Sequence, residues 1–154
     1  MPIYQYFYRL YKNIPCSFKP LIWILKKLYI LSEFPYGCEI HPGSDIGPGL
    51  YIGHPWNITV NGKVKIGANC SIHKNVTIGQ ESRGKRNGAP IIGDCVWMGI
   101  NATIVGKITI GDDVMIAPNS FVNCDVPSHS IVYGNPCVIR PKENATEGYI
   151  NNKV

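Results

Sequence analysis

Steps of six residues from Ile40 land on Ile46, Ile52 and Ile58. After a two-residue slip the same step gives Ile66, Ile72 and Ile78, and after a longer break Ile92, Met98, Ile104, Ile110, Ile116 and Val122. Ile, Val, Leu and Met make up about a quarter of the chain, so an unbroken run of six such rungs arises by chance in fewer than about one placement in a thousand. Neither the 3.6-residue helical period nor the alternation of a hairpin strand produces a spacing of six, and six residues are too few for a helix-turn-helix unit. A solenoid does produce it, with one hexapeptide on each of three faces and about 18 residues per coil. Glycine follows the rung at Gly47, Gly53, Gly67, Gly79, Gly93, Gly99 and Gly111. Such a residue accepts unusual backbone angles and close approach at a corner.

The interruptions carry information because the period resumes after each. Between Ile78 and Ile92 the spacing is fourteen, eight more than one step, and the intervening stretch Gln80–Pro90 sets Arg83, Lys85 and Arg86 among glycines and polar residues. It reads as a basic loop thrown out from the solenoid, either a solvated excursion or a contact for a ligand or partner. The slip near Asn61-Gly62 reads as a corner bulge.

The period bounds the domains. Residues 36–142 form one all-β solenoid domain with the loop at 80–90. Residues 1–35 are an amino-terminal cap in which Pro20 opens a helix over Leu21 to Leu31, and 143–154 are a flexible polar tail. The apolar run of the cap is too short, and with Lys26 and Lys27 too charged, to span a bilayer. Its aromatic and basic residues fit either packing over the open end of the solenoid or peripheral contact with a membrane surface.

With 16 glycines, 12 prolines and 16% charged residues, the composition is that of a turn-rich β protein, neither helical bundle nor disordered chain. The formal charge of +5 favours anionic small partners, and no nucleic-acid motif accompanies it. Cys16, Cys38, Cys70, Cys95, Cys124 and Cys137 show no metal-ligand spacing, and no cleavable signal peptide is expected ahead of them. A reducing cytoplasm fits, with the thiols as packing groups. Four N-x-[ST] triplets, at Asn57, Asn75, Asn101 and Asn144, say little without a secretory signal.

Chemistry concentrates between Glu39 and Asn57, where a carboxylate and the histidines His41 and His54 fall within sixteen residues. Glu39 and His54 lie fifteen positions apart, near one edge of the prism on adjacent coils. A carboxylate that accepts the Nδ1–H of a histidine fixes its tautomer and leaves Nε2 free to take a proton from a hydroxyl. A histidine at a corner is also commonly structural or merely exposed, and His41, His73 and His129 are weaker candidates still.

Glu39-Ile-His-Pro, Ile46-Gly-x-Gly, Gly53-His54, Val76-Thr-Ile-Gly79, the loop, Val126-Pro127 and Gly134-Asn-Pro together resemble the serine acetyltransferase family of hexapeptide-repeat acyltransferases, over about residues 38–142. The resemblance implies a left-handed parallel β-helix, a homotrimer, and acetyl-CoA as co-substrate in the groove between subunits, with no metal. It implies His54 as the base that activates the acceptor hydroxyl, Glu39 in place of the aspartate that orients it, and backbone N–H groups near Gly79 and Gln80 for the oxyanion. Gly99 and Ala117 fall where similar enzymes line the pantetheine channel. Arg83, Lys85 and Arg86 are candidates for CoA phosphate or an anionic acceptor.

The chain also departs from the family. Where the serine enzymes carry Arg-His-Pro at the loop's end, a sequence associated with recognising the amino acid, this chain has Gly88-Ala89-Pro90, and the family's acidic residue ahead of the catalytic histidine is Gly53 here. The expected acceptor is therefore a sugar or polysaccharide-precursor hydroxyl, as in similar short O-acetyltransferases. Serine is the alternative, and a non-catalytic structural or binding trimer is the alternative of another class. The expected location is the cytoplasm, with the inner face of the membrane open.

Overall fold

The structure, a computed structural model, describes residues 37–151, 153 and 154, together with Ile24, Lys27 and Leu28. Those three are helical and exposed; the rest of the expected cap lies outside the described residues.

Three parallel sheets wind into a triangular solenoid, a parallel β-helix. The first face stacks Glu39–Ile40, Thr59–Val60, Thr77–Gly79, Thr103–Val105 and Phe121–Val122. The second stacks Asp45–Ile46, Lys65–Ile66, Ile91–Ile92 and Thr109–Ile110. The third stacks Tyr51–Gly53, Ser71–His73, Trp97–Met98, Val114–Ile116 and Ser130–Tyr133, and closes with the antiparallel Val138–Pro141. Apart from Ile46 and Ile52, half-buried at the first coil, every rung side chain is buried in one continuous core. Each buried rung contributes about 1.5–3 kcal/mol of transfer free energy, and meets another aliphatic group one coil above or below.

The register moves the slip. Glu39 pairs with Thr59, Thr59 with Thr77, Thr77 with Thr103 and Thr103 with Phe121, so the coils advance by 20, 18, 26 and 18 residues. The rung of the second coil's first face is Val60, which pairs with Ile40 and Ile78, rather than Ile58. The two extra residues therefore lie between Gly53 and Thr59, in the corner that carries His54, and the corner at Asn61-Gly62 is not bulged. Ile58 and Val60 are both apolar and both fully buried, so a count of sixes cannot distinguish them.

The corners also turn differently from the expectation. None of the seven glycines after the rungs has a positive φ. They permit close approach: a Cβ on Gly67 would come within 2.6 Å of the Gly93 backbone on the next coil. Most of the left-handed corner positions fall two residues before a strand. Between the third and first faces they are Asn57, Asn75, Asn101 and Asn119, with φ of 51°, 60°, 61° and 60°. Asn tolerates this region because its short polar side chain bonds locally, and here the amides form a ladder, Asn75 donating to Asn101 at 2.8 Å and Asn101 to Asn119 at 3.0 Å. Three of the N-x-[ST] triplets are thus corner signatures, the Thr two residues later opening the next strand.

From Asn144 onward the chain, expected as a flexible tail, instead packs on the third face. Ala145, Thr146 and Ile150 are buried, and Val154 exchanges hydrogen bonds with the Asn69 side chain. Asp113 anchors the turn, accepting from the amides of Ala145 and Thr146 at 3.0 Å each and from the Thr146 hydroxyl at 2.7 Å. None of the described cysteines is in a disulfide: burial pushes the Cys70 thiol up to about 12, which leaves it a packing group, while Cys124 and Cys137 approach to 3.5 Å between sulfurs.

Candidate active site

His54 sits on the bulged corner between the third and first faces, exposed, with φ 58°. Its carbonyl accepts the Trp56 amide across Pro55 at 2.7 Å, a tight turn that holds the two extra residues out from the wall. Non-glycine residues in this conformation cost energy and are held there by their surroundings. Glu39 is exposed at the start of the first face, beside the same edge one coil earlier. No hydrogen bond or ion pair joins it to His54. The expected contact between carboxylate and imidazole is absent from the chain's own geometry, and the imidazole instead neighbours His73 on the following coil.

The other expected site residues divide between two edges. Gly99 and Ala117 follow the third-face strands and line the edge that carries His54. Their amides are spent in the coil ladder, Gly99 donating to Ile116 at 2.9 Å and Ala117 to Val132 at 2.8 Å, so they offer a ligand closeness and carbonyl lone pairs rather than N–H donors. Gly79 and Gln80 lie across the first face, where the chain leaves it for the loop. A strand of three residues is about 10 Å wide, so the two edges of one chain do not meet at one reacting atom.

The loop is folded rather than open. Glu81 and Gly88 exchange backbone hydrogen bonds at 3.0 and 2.9 Å, and Arg86 pairs with Glu81 at 3.1 Å, while its carbonyl accepts the Lys107 amide. Arg83 and Lys85 remain exposed at its tip.

One feature was not legible in the sequence. The space beside Gly53 holds the His73 imidazole: a Cβ there would lie 2.6 Å from its Nδ1. His73 stacks against Trp97 at 4.9 Å between ring centroids, and Trp97 against Tyr149 of the docked tail at 4.9 Å, with Tyr51 edge-on to His73 at 6.3 Å. Burial, and then the charge of His54, push the His73 imidazole below its ordinary value, and its Nε2 is buried without a hydrogen-bond partner. A cavity of about 380 Å³ opens among these rings, over Ser71.

Residues 89–124 match the family model described as bacterial transferase hexapeptide (six repeats). A serine acetyltransferase of Helicobacter pylori is 36% identical over 113 residues, 73% of this chain and 66% of that protein. Among solved structures, serine acetyltransferase of Brucella abortus in complex with coenzyme A superposes with a TM-score of 0.74 at 28% identity, over 91% of this chain and 55% of that one. Serine acetyltransferase of Neisseria gonorrhoeae in complex with serine gives 0.71 at 32%, over 88% and 53%. This chain thus spans about half to two thirds of the length of these proteins. It belongs to the hexapeptide-repeat transferase family, among its serine acetyltransferase-like members.

Proposed function

We propose that the protein is an acetyl-CoA-dependent O-acetyltransferase with His54 as general base. The observation that carries this reading is an exposed histidine held on a two-residue bulge at the solenoid edge, in a chain similar to acetyltransferases, one of which binds coenzyme A. His54 Nε2 takes the acceptor's hydroxyl proton as the oxygen attacks the thioester carbonyl. The tetrahedral intermediate, its oxyanion held by N–H groups near Gly79 and Gln80, expels CoA thiolate, which recovers the proton from the imidazolium. No acyl-enzyme forms. Glu39 orients His54, Gly99 and Ala117 allow the pantetheine arm close passage, and Arg83, Lys85 and Arg86 face anionic groups. The enzyme works as a cytoplasmic homotrimer.

Two acceptors compete. The names of the relatives, and the bound serine of one solved neighbour, support serine. The chain's own residues support a neutral sugar hydroxyl: Gly53 and Gly88-Ala89-Pro90 supply no partner for an ammonium or a carboxylate, and an uncharged imidazole fills the place beside Gly53. We favour the saccharide. Thiol release from acetyl-CoA, measured with L-serine and with a panel of nucleotide sugars and oligosaccharides, tests this. Turnover with a saccharide alone is expected, turnover with serine alone transfers the reading to serine, and CoA binding without turnover on any acceptor rejects the enzyme.

A further inference from the structure

The cavity on the third face is assigned no role by the mechanism above. Tyr51, Ser71 and Trp97 stand in one column, paired strand to strand through the register. Adjacent strands lie about 4.8 Å apart, so two aromatic residues flank the small Ser71 with about 10 Å between the strands that bear them. His73 closes the side towards His54, and Tyr149 of the docked tail closes the outer side. Tyr51 and Tyr149 remain half-exposed, which leaves a mouth between them.

The chemistry of the lining selects an occupant. Among the described residues, none that lines the cavity is a carboxylate, lysine or arginine. Its polar groups are neutral ones: Ser71, the Asn151 amide, the tyrosine hydroxyls and His73, whose imidazole burial pushes below its ordinary value, while the Asn69 amide is spent on the Val154 backbone. Aromatic faces flanking a slot, with neutral hydrogen-bonding groups between them, match a pyranose ring, which presents C–H groups to its faces and hydroxyls at its rim. An amino acid zwitterion would find no countercharge there.

We propose that this cavity is a saccharide subsite. It holds a neutral pyranose, the unit next to the acetylated sugar, on the side of His73 away from His54, with Trp97, Tyr149 and His73 as its specificity residues. The proposal rests on the saccharide reading of the acceptor.

Saturation-transfer NMR on the full chain, without acetyl-CoA, tests it with methyl glucoside, methyl galactoside and methyl N-acetylglucosaminide as probes and L-serine for comparison. At least one pyranoside is expected to receive saturation, strongest at its ring C–H protons. Tyr149→Ala, which alters only the docked tail, and Trp97→Leu should each weaken binding about tenfold or more, with the melting transition retained as a check on folding. In turnover, His73→Leu should raise the acceptor KM about tenfold with kcat within a few-fold, and His73→Gln should recover part of the loss. No saturation of any pyranoside, equal binding by Tyr149→Ala and Trp97→Leu, or displacement of the pyranoside by coenzyme A overturns the subsite, the last in favour of the pantetheine arm. Thiol release separates the two levels. Pyranoside binding without acetyl transfer to any acceptor rejects the enzyme reading alone, and saccharide turnover indifferent to Trp97, Tyr149 and His73 rejects the subsite alone.

Discussion

His54 is the residue on which the chemistry turns, and its backbone decides how to test it. At φ 58° an alanine would strain the corner as well as remove the imidazole, whereas asparagine is at home there, as Asn57 and Asn75 are in the same chain. His54→Asn should therefore leave the melting temperature nearly unchanged and lower acetyl-CoA turnover by about 10²–10⁴-fold, the usual worth of a general base. Thiol release measured beside a thermal melt checks both halves, and turnover within a few-fold of wild type would remove His54 from the mechanism. Glu39→Gln should cost less, since no hydrogen bond fixes Glu39 to His54 in the chain by itself.

The rungs were legible as an element because six-residue spacing has few structural explanations. The corner asparagines stood in plain view as N-x-T triplets, with a glycosylation meaning in place of a conformational one. Asn101 tests the ladder: alanine there loses hydrogen bonds to Asn75 and Asn119 and must adopt the left-handed conformation, together about 2–3 kcal/mol of unfolding free energy. Glycine should cost less than alanine because it keeps the conformation free of strain, and denaturant midpoints of the two variants read the difference. The cavity was not legible because Tyr51, Ser71 and Trp97 meet only once the 20- and 26-residue coils are known. The slip that sets the first of these hides between two buried aliphatics.

The docked tail was not legible for a similar reason, since its own polar sequence gives no sign of the solenoid carboxylate, Asp113, that holds it. Partial burial alone would raise the Asp113 carboxyl, but hydrogen bonds from Thr146, His129 and Ala145 hold it down at about 2. A depressed carboxylate contributes stability above its unfolded value near 3.8, and that contribution is lost as pH falls towards 2. The hydrogen bond to Asp113, and then Glu143, push His129 upward, so its share is fully present below about 6.5 and fades as pH rises through its raised folded value. Docking should be firmest between about pH 4 and 6.5. Hydrogen-exchange protection factors at Ala145 and Thr146 should fall on both sides, more steeply in acid, where the hydrogen bonds to the carboxylate also go. A flat profile from pH 3 to 8 would show that Ile150, Tyr149 and the Asn69–Val154 hydrogen bonds hold the tail without the Asp113 carboxylate.

At the scale of the whole molecule, the single chain is an incomplete catalyst on the proposed reading. His54, Gly99 and Ala117 mark one edge of the prism, while Gly79, Gln80 and the basic loop mark the next, across a face about 10 Å wide. The base must lie within about 3 Å of the attacking hydroxyl, and the oxyanion donors within about 3 Å of the oxygen of the carbonyl it attacks. A cyclic assembly solves this by setting the His54 edge of one copy against the Gly79 edge of its neighbour, since a head-to-tail interface joins different edges. That arrangement has a numerical signature. His54→Asn removes the base and Gln80→Pro removes an N–H donor, so each variant alone is expected to be inactive. Trimers assembled at random from equal amounts of both contain an intact Gln80 beside an intact His54 at about a quarter of their interfaces. Co-assembly should therefore restore about a quarter of wild-type turnover, read as thiol release from acetyl-CoA after joint refolding. If base and donor came from one chain, every chain in the mixture would lack one of them, and activity would stay at the level of the separate variants however the copies were combined.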